Sequence, residues 1–331
     1  MAARRLACMA IEMRQFGRTG MRVSALGFGA AEIGFENASD HVVDAIVGVA
    51  LDTGINVIDT AAMYSDSEEK IGRALRGRRQ QCLLFTKCGR FLPSRLSAAG
   101  LHLRLGMKLR QILGKADNAE SLTWDPRALR WNIDESLVRL RTDWIDLIQL
   151  HSCSEDTLRR GEVIEVLQRA RQAGKVRHIG YTGDGPAARY AIQCGQFEAV
   201  QVSINIADQD AIDLTVPLAQ QQCMGVIAKR PIANALWRSP QRPESIHNQT
   251  YWDRLQELRY DFLQDERAFE TAIRFTLSIP GIQTAIVGTT NPAHLRHHAE
   301  FAATGALDRH QFDRIRARWK AVASPDWVGQ M

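Results

Sequence analysis

The feature that most constrains the fold of this chain is an alternation, from about residue 24, between short β-rich apolar runs and longer amphipathic stretches. Such an alternation is typical of βα units, which build parallel sheets. Eight strands are predicted, at 24–29, 55–58, 82–86, 144–150, 176–181, 199–204, 226–228 and 284–287. Eight βα units close a barrel better than they fill an open sheet, so we predict an α/β fold, an (α/β)8 TIM barrel in a single domain.

Helices are predicted where a capping residue precedes an apolar face. The clearest begins at Asp125 and Pro126, a cap followed by a proline in the first turn, after which Leu129, Ile133 and Leu137 share one side. The other helices between strands are predicted to begin at Ser39 or Asp40 and to lie at 68–75, 157–173, 187–194, 213–222, 267–278 and 292–302.

Four segments fall outside this repeat. The stretch 14–23 predicts an N-terminal β-hairpin that caps one mouth of the barrel, and 308–323 predicts a final helix outside it. Two long connections, 88–123 and 231–265, follow the third and seventh strands. Loops at the carboxyl ends of barrel strands are where ligand sites are built, so we expect both loops to border the functional site.

Composition excludes several classes of protein. The 331 residues are 45% hydrophobic and 24% charged, which rules out a disordered or low-complexity chain. Length alone would also allow two domains, although barrels routinely use 250 or more residues as one. No apolar run approaches the roughly 20 residues that a membrane span needs, so no membrane association is expected. Residues 1–12 lack the features of a signal peptide and are expected to be a disordered extension before a barrel domain at 13–331, with Met13 as an alternative start.

Charge and cysteine content indicate a protein that acts on small molecules in a reducing compartment. The net charge is +5, and the locally basic runs at 73–79 and 314–320 are interleaved with apolar residues at helical spacing, which favours solvated helix faces over a nucleic-acid surface. The six cysteines are scattered and form no CxxC pair, so free thiols and a cytoplasmic location are expected. The oligomeric state is not predicted.

Four titratable residues are predicted to share the carboxyl mouth of the barrel. Asp59, Lys87 and His151 stand at the ends of the second, third and fourth strands, and Tyr64 follows Asp59 by five residues. A lysine ammonium favours a nearby phenolate and lowers the phenol pKa, while an aspartate keeps the lysine charged. A neutral imidazole can donate a hydrogen bond to a substrate oxygen. Such a set suits reduction of a carbonyl by hydride, with Tyr64 giving the proton.

These residues resemble the catalytic tetrad of the aldo/keto reductases. The segment IDTAAMYSDSEEKIGRAL at 58–75 is similar to that family's second strand and helix, FTK at 85–87 supplies its lysine, and LRWNIDESLVRLRTDWIDLIQLH at 129–151 leads to its histidine. GKVRHIGYTGD at 174–184 resembles the strand after it, and the resemblance covers about residues 14–303. It implies a barrel that binds a nicotinamide dinucleotide without a Rossmann domain and needs no metal. NADP(H) is the usual cofactor, and NAD(H) is the alternative.

The resemblance also implies which residues hold the dinucleotide. Asp184 stands where the family commonly has asparagine beside the nicotinamide amide, and Lys229 where many members have a stacked tyrosine. His294 occupies the usual arginine position and His298 the usual adenine-contacting asparagine, in a loop and helix start, VGTTNPAHLRHH, that resembles the adenosine-phosphate site. The full cofactor set carried over by position is Gly29, Asp59, Thr182, Asp184, Gln201, Lys229, Arg230, Ile232, Asn234, Gly288, Thr289, Thr290, Asn291, His294 and His298.

Aromatic residues near the strand ends and in the long loops predict an apolar substrate pocket for a hydrophobic or aromatic carbonyl compound or alcohol. With the tetrad residues that would face it, the predicted lining is Phe28, Tyr64, Phe91, Trp124, His151 and Trp237.

Each of these residues also has a plainer interpretation. Asp59 suits a strand-end turn, Lys87 a solvated loop, Tyr64 packing and His151 a backbone contact, and only their joint placement favours catalysis. Two other functions stay open. One is a nucleotide-binding regulatory subunit of the same fold with little turnover, and the other is an isomerase or aldolase that would use Lys87 as a base or Schiff-base nucleophile.

Overall fold

The computed structural model describes residues 10–90 and 124–330. Eight parallel strands close into a barrel in sequence order, with the last strand hydrogen-bonded to the first. The strands are β3 (Leu26–Gly29), β4 (Val57–Asp59), β5 (Leu83–Cys88), β6 (Ile145–His151), β7 (Val176–Thr182), β8 (Ala199–Ser203), β9 (Gly225–Lys229) and β10 (Thr284–Gly288). All eight predicted strands are present, which confirms the (α/β)8 TIM barrel in a single domain.

The helices surround the barrel. Those described are α1 (Ala31–Phe35), α2 (Asp40–Asp52), α3 (Ser67–Ala74), α4 (Pro126–Leu140), α5 (Glu155–Arg159), α6 (Glu162–Gln172), α7 (Gly185–Gln193), α8 (Asp210–Leu214), α9 (Val216–Gln221), α10 (Ile246–Leu258), α11 (Ala268–Leu277), α12 (Pro292–Ala303) and α13 (Arg309–Val322). No helix within the described ranges is both long and apolar enough to cross a membrane.

Two of the predicted helices are each divided in two. Between α5 and α6, Gly161 adopts a φ of 78°, a left-handed conformation that ends one helix and lets the chain start the next. Between α8 and α9, Pro217 lies in the first turn of the second helix, where its missing N–H prevents one continuous helix from running through.

The predicted hairpin caps the amino-terminal mouth. Strand β1 (Met13–Gln15) pairs antiparallel with β2 (Arg22–Ser24), and between them Phe16 is fully buried and stacks on Phe85 with ring centroids 5.7 Å apart. A Cβ on Gly17 would lie 2.3 Å from the Gly225 nitrogen, so only glycine allows the turn to come this close to the barrel. The hairpin therefore plugs the mouth opposite the strand carboxyl ends.

Strand alternation divides the buried residues between the barrel interior and the layer beneath the helices. The interior cluster comprises Phe16, Val23, Val57, Phe85, Leu147, Ala199, Ile227 and Ile286. Phe28 belongs instead to the larger outer cluster and is fully buried there. The prediction that Phe28 lines a substrate pocket was wrong, because Gly29, its neighbour in the strand, faces the cavity and successive residues point to opposite sides.

The long connections and the first residues bear on the expected domain limits. The seventh-strand connection contains a kinked turn, Ala233–Arg238, and a short 3₁₀ helix, Asp261–Gln264, on either side of α10. Most of the third-strand connection lies outside the described residues. At the start of the chain, Ile11 is 5% exposed and the Glu12 carbonyl accepts a hydrogen bond from Ala25, so the packed structure begins earlier than the expected boundary at residue 13.

The predicted cap of α4 gives a stability prediction. The Asp125 side chain accepts a hydrogen bond from the Arg127 backbone N–H at 2.8 Å, and Pro126 occupies the first turn. Asp125→Ala should lower the free energy of unfolding by about 1 kcal/mol, since it leaves a helix N–H without its acceptor. Urea denaturation checks this, with Asp125→Asn as the control that keeps a side-chain oxygen. An alanine variant as stable as the parent would contradict the capping role.

Candidate active site

The carboxyl mouth of the barrel opens into a cavity of about 870 Å³. Asp59 ends β4, Lys87 lies near the end of β5 and His151 ends β6, while Tyr64 lies in the loop between β4 and α3. All four side chains line this cavity. The structure therefore brings together the four residues that the sequence pattern singled out.

Lys87 and Asp59 form a buried ion pair at the base of the cavity, with their side chains 2% and 1% exposed. The Lys87 Nζ also donates to the Thr60 carbonyl at 2.9 Å, and Gln149 donates to the other Asp59 oxygen at 3.3 Å. Burial acts to lower the pKa of Lys87, but the Asp59 carboxylate and the Tyr64 phenol outweigh it and raise this pKa above its usual value. Lys87 is therefore an ammonium at neutral pH.

Tyr64 is packed against both the ammonium and the imidazole. The Lys87 Nζ lies 5.0 Å from the centroid of the Tyr64 ring, and the His151 ring stands edge-on to it, with centroids 5.8 Å apart and an interplanar angle of 86°. Burial raises the pKa of Tyr64, and the opposing effect of Lys87 does not overcome it. The expected lowering of the phenol pKa is thus outweighed, and Tyr64 holds its proton at neutral pH.

His151 is a neutral imidazole. Burial, together with the positive charge of Lys87, lowers its pKa well below 6.5. Its Nδ1 has no hydrogen-bond partner among the described residues. A neutral ring that faces a cavity can donate one hydrogen bond to a substrate oxygen without carrying charge.

Most of the residues expected to bind a cofactor line the same cavity. They are Gly29, Asp59, Thr182, Gln201, Lys229, Arg230, Ile232, Asn234, Gly288, Thr289, Thr290, His294 and His298. Gln201 is fully buried beside Asp59, and hydrogen bonding from its side chain acts to lower the Asp59 pKa. The oxygen of its amide has no hydrogen-bond partner in the described part of the chain. A buried amide oxygen without a partner is costly, so this oxygen is well suited to accept a hydrogen bond from a ligand that carries a carboxamide.

Two expected cofactor residues lie elsewhere. Asp184 does not line the cavity, since its carboxylate accepts hydrogen bonds from the backbone and hydroxyl of Ser203 and pairs with Lys229 at 2.8 Å. Asn291 caps α12 by accepting from Ala293 at 2.9 Å and is likewise absent from the cavity lining. The Asp184 prediction is corrected, because Ser203 and Lys229 hold its carboxylate and sequence spacing did not reveal these partners. Asn291 is held in the cap of its own helix, a local contact that the Asn-Pro sequence favours.

The loop after β9 carries positively charged and strained residues. Arg230, Ala233, Asn234 and Ala235 have φ values of 59°, 44°, 53° and 54°, in the left-handed region that side chains other than glycine rarely adopt. Arg230 lines the cavity, and so does Arg238 at the end of this loop. Strained backbone of this kind concentrates at ligand sites, and no glycine marked the turn in the sequence.

Sequence reasoning missed an acidic patch beside the loop after β10. Glu32 and Glu36 of the α1 region both line the cavity, and Glu36 accepts a hydrogen bond from the Thr290 hydroxyl at 2.7 Å. Burial raises the pKa of Glu32. Its carboxylate packs directly against Gly288, since a Cβ added to that glycine would lie 1.7 Å from a Glu32 oxygen. A signal was available, because these residues closely follow the first barrel strand at its carboxyl end.

The aromatic lining differs from the prediction. Trp237 does not line the cavity but packs edge-on against Phe269, with centroids 5.2 Å apart. Trp124 is buried against Gly89, where an added Cβ would lie 1.9 Å from the indole. Phe91 lies outside the described residues. Within the described ranges, the phenylalanines that line the cavity are Phe35, Phe269 and Phe301.

His298 gives a prediction about pH. It is 6% exposed, and burial, with the nearby His294 and His297, lowers its pKa to about 4. In the unfolded chain the His298 side chain titrates near pH 6.5. Between about pH 4 and about pH 6.5 the unfolded chain therefore binds more protons at this residue than the folded protein does, so stability falls as the pH falls. We expect His298 to lower the free energy of unfolding by about 2 kcal/mol as the pH falls from about 7 to about 5. Urea denaturation should show a shallower pH dependence for His298→Asn, and an unchanged slope would contradict the assignment.

Comparisons with known proteins identify the family and support the fold. A model of the aldo/keto reductase family matches residues 25–320, and the chain belongs to this family of oxidoreductases. It is 30% identical over 249 residues to L-galactose dehydrogenase of Arabidopsis thaliana, covering 71% of this chain and 69% of that one. Its fold is similar to the holo form of an aldo-keto reductase from Bacillus halodurans, with a TM-score of 0.76, 24% identity and coverage of 96% and 99%. An aldo/keto reductase from Klebsiella pneumoniae, solved with NADP and acetate, gives a TM-score of 0.66, 20% identity and coverage of 96% and 97%.

Proposed function

We propose that this protein is an NADP(H)-dependent oxidoreductase that interconverts small aldehydes or ketones with alcohols, with Tyr64 as the proton donor. The observation that carries the proposal is the convergence of Tyr64, Lys87, Asp59 and His151 on one cavity, whose wall also holds the unpartnered amide oxygen of Gln201. Family membership supports the reaction class. The free thiols of Cys82, Cys88, Cys153, Cys194 and Cys223 suit the cytoplasm as its compartment.

The cavity residues fit a nicotinamide dinucleotide. A reduced nicotinamide supplies a hydride when bound. Gln201 would offer its amide to the carboxamide of the ring, and Arg230 and Arg238 would offer positive charge to the pyrophosphate. Thr289 and Thr290 lie just before the N-terminus of α12, where backbone N–H groups and hydroxyls favour a phosphate.

The tetrad residues have separate tasks in this proposal. His151, held neutral by burial, donates a hydrogen bond to the carbonyl oxygen of the substrate and orients it. The Tyr64 hydroxyl transfers its proton to that oxygen as negative charge develops on it. The Lys87 ammonium stabilises the phenolate that this transfer leaves, and Asp59 keeps Lys87 charged and in position.

The preference between NADP(H) and NAD(H) is a finer part of the proposal. Thr289, Thr290 and His294 favour NADP(H), because they border the cavity beside a helix N-terminus. Glu36 opposes it, since its carboxylate binds the Thr290 hydroxyl. We expect NADPH to bind more tightly than NADH in a fluorescence titration, and equal affinities would contradict this preference.

The proposed activity is tested by mixing purified protein and NADPH with a panel of carbonyl compounds and following the absorbance of the reduced nicotinamide. The panel should include aromatic aldehydes, because Phe35 packs beside Tyr64 with centroids 5.5 Å apart. Consumption of NADPH that depends on the carbonyl compound supports the proposal. Tight binding without turnover over the whole panel would instead favour a regulatory subunit, and no binding would exclude both.

A further inference from the structure

Lys229 is a partly buried lysine that the proton-transfer chemistry of the tetrad does not use. Burial lowers its pKa, and the Asp184 carboxylate beside it acts in the opposite direction and favours the ammonium form. It ends β9 and lines the cavity, and its side chain is 12% exposed. Its Nζ lies 2.8 Å from an oxygen of Asp184, a carboxylate that does not line the cavity. The Lys229 ammonium, and not the Asp184 carboxylate, therefore faces a ligand in the cavity.

The position of Lys229 is fixed from behind. Asp184 is anchored by the Ser203 N–H at 2.7 Å and the Ser203 hydroxyl at 3.1 Å. On its other side, an added Cβ on Gly329 would lie 2.6 Å from the Asp184 side chain, so this segment covers the carboxylate closely. The ammonium thus has a rigid, buried counter-ion and little freedom to leave the cavity wall.

Lys229 also lies at the same end of the cavity as the groups that would hold the nicotinamide. In the register of β8 and β9, Ser203 pairs with Lys229 and Gln201 with Ile227. Ile227 faces the barrel interior, and alternation places Lys229 on the same side, as the cavity lining shows. The positive charge of Lys229 also acts on His151 and contributes to lowering its pKa.

The two redox states of a nicotinamide differ in charge at the ring. The oxidised ring carries one positive charge and the reduced ring carries none, whereas the pyrophosphate is common to both forms. A fixed cation close to the ring in a desolvated wall therefore disfavours the oxidised form selectively. Arg230, the neighbouring cation, donates a hydrogen bond to the Ser203 hydroxyl at 3.1 Å.

We propose that Lys229 makes this site selective for the reduced dinucleotide over the oxidised one, and so favours the direction of carbonyl reduction. This inference rests on the proposed function, since it requires a nicotinamide dinucleotide in the cavity. Asp184 offsets part of the charge but lies behind the ammonium, so it leaves the sign of the effect unchanged.

The test compares dissociation constants of NADPH and NADP⁺ by titration of protein fluorescence, which needs no turnover. Lys229→Met should reduce the ratio of the NADP⁺ dissociation constant to the NADPH dissociation constant about tenfold, chiefly because NADP⁺ binds more tightly. Lys229→Arg keeps the cation and should keep the ratio. Lys175→Met is the matched control, because Lys175 pairs with Asp134 before the amino end of β7, away from the cavity lining.

Removing Lys229 alone leaves Asp184 as an unpaired buried charge and can prevent folding. The double variant Lys229→Met with Asp184→Asn removes both charges and keeps an oxygen to accept from the Ser203 N–H, so it provides a folded test. A ratio in the folded variants equal to that of the parent would overturn the inference. Failure of the parent to bind either nucleotide would instead refute the proposed function itself.

Discussion

Tyr64→Phe is expected to lower kcat for carbonyl reduction by about 10³-fold while leaving NADPH affinity and thermal stability close to those of the parent. The substitution removes only the hydroxyl. The ring that packs against His151 and Phe35 remains, so the cavity should keep its shape. Because burial holds the Tyr64 phenol protonated at neutral pH, the parent has a proton to give and the variant has none.

The measurement is kcat and KM with one carbonyl substrate, together with the NADPH dissociation constant and Tm of each variant. Tyr190→Phe is the matched control, since Tyr190 lies on α7 beneath the Arg159 guanidinium and does not line the cavity. It should behave like the parent. A Tyr64→Phe variant that kept its kcat would remove the proposed proton donor.

Lys87→Met is expected to lower the free energy of unfolding by about 3–5 kcal/mol and to abolish turnover. Lys87 is 2% exposed and faces Asp59, so its loss leaves a carboxylate buried without its counter-ion. Adding Asp59→Asn removes that charge and keeps an oxygen that can accept from Gln149. The double variant should regain most of the lost stability.

Turnover should not return in that double variant, because no ammonium remains to stabilise the Tyr64 phenolate. Urea denaturation and steady-state kinetics on both variants separate these two roles of the pair. A Lys87→Met protein as stable as the parent would show that the Lys87–Asp59 ion pair contributes little to the free energy of unfolding. Restored activity in the double variant would exclude Lys87 from the chemistry.

The fold and the tetrad could be predicted because both depend on local rules. Strand ends follow from apolar runs, and the carboxyl ends of parallel strands meet at one mouth, so Asp59, Lys87 and His151 come together without knowledge of loop paths. Asp125 and Pro126 marked the start of α4 for an equally local reason.

The residues that were placed wrongly depend on long-range packing. Ser203 and Lys229 hold the Asp184 carboxylate outside the cavity lining. The path of a long loop places Trp237 against Phe269. Neither partner follows from sequence spacing. Phe28 is different, since period-two alternation relative to Gly29 would have placed it on the outer face.

In the proposed reaction, the residues at this mouth hold a nicotinamide and a carbonyl group together, and Tyr64 supplies the proton. The most direct test uses NADPH with both hydrogens at C4 of the nicotinamide replaced by deuterium and follows the label by mass spectrometry of the alcohol product. Deuterium on the carbinol carbon, formed by the parent and nearly absent with Tyr64→Phe, is the predicted result. An alcohol product free of deuterium, or labelled equally fast by the variant, would contradict it.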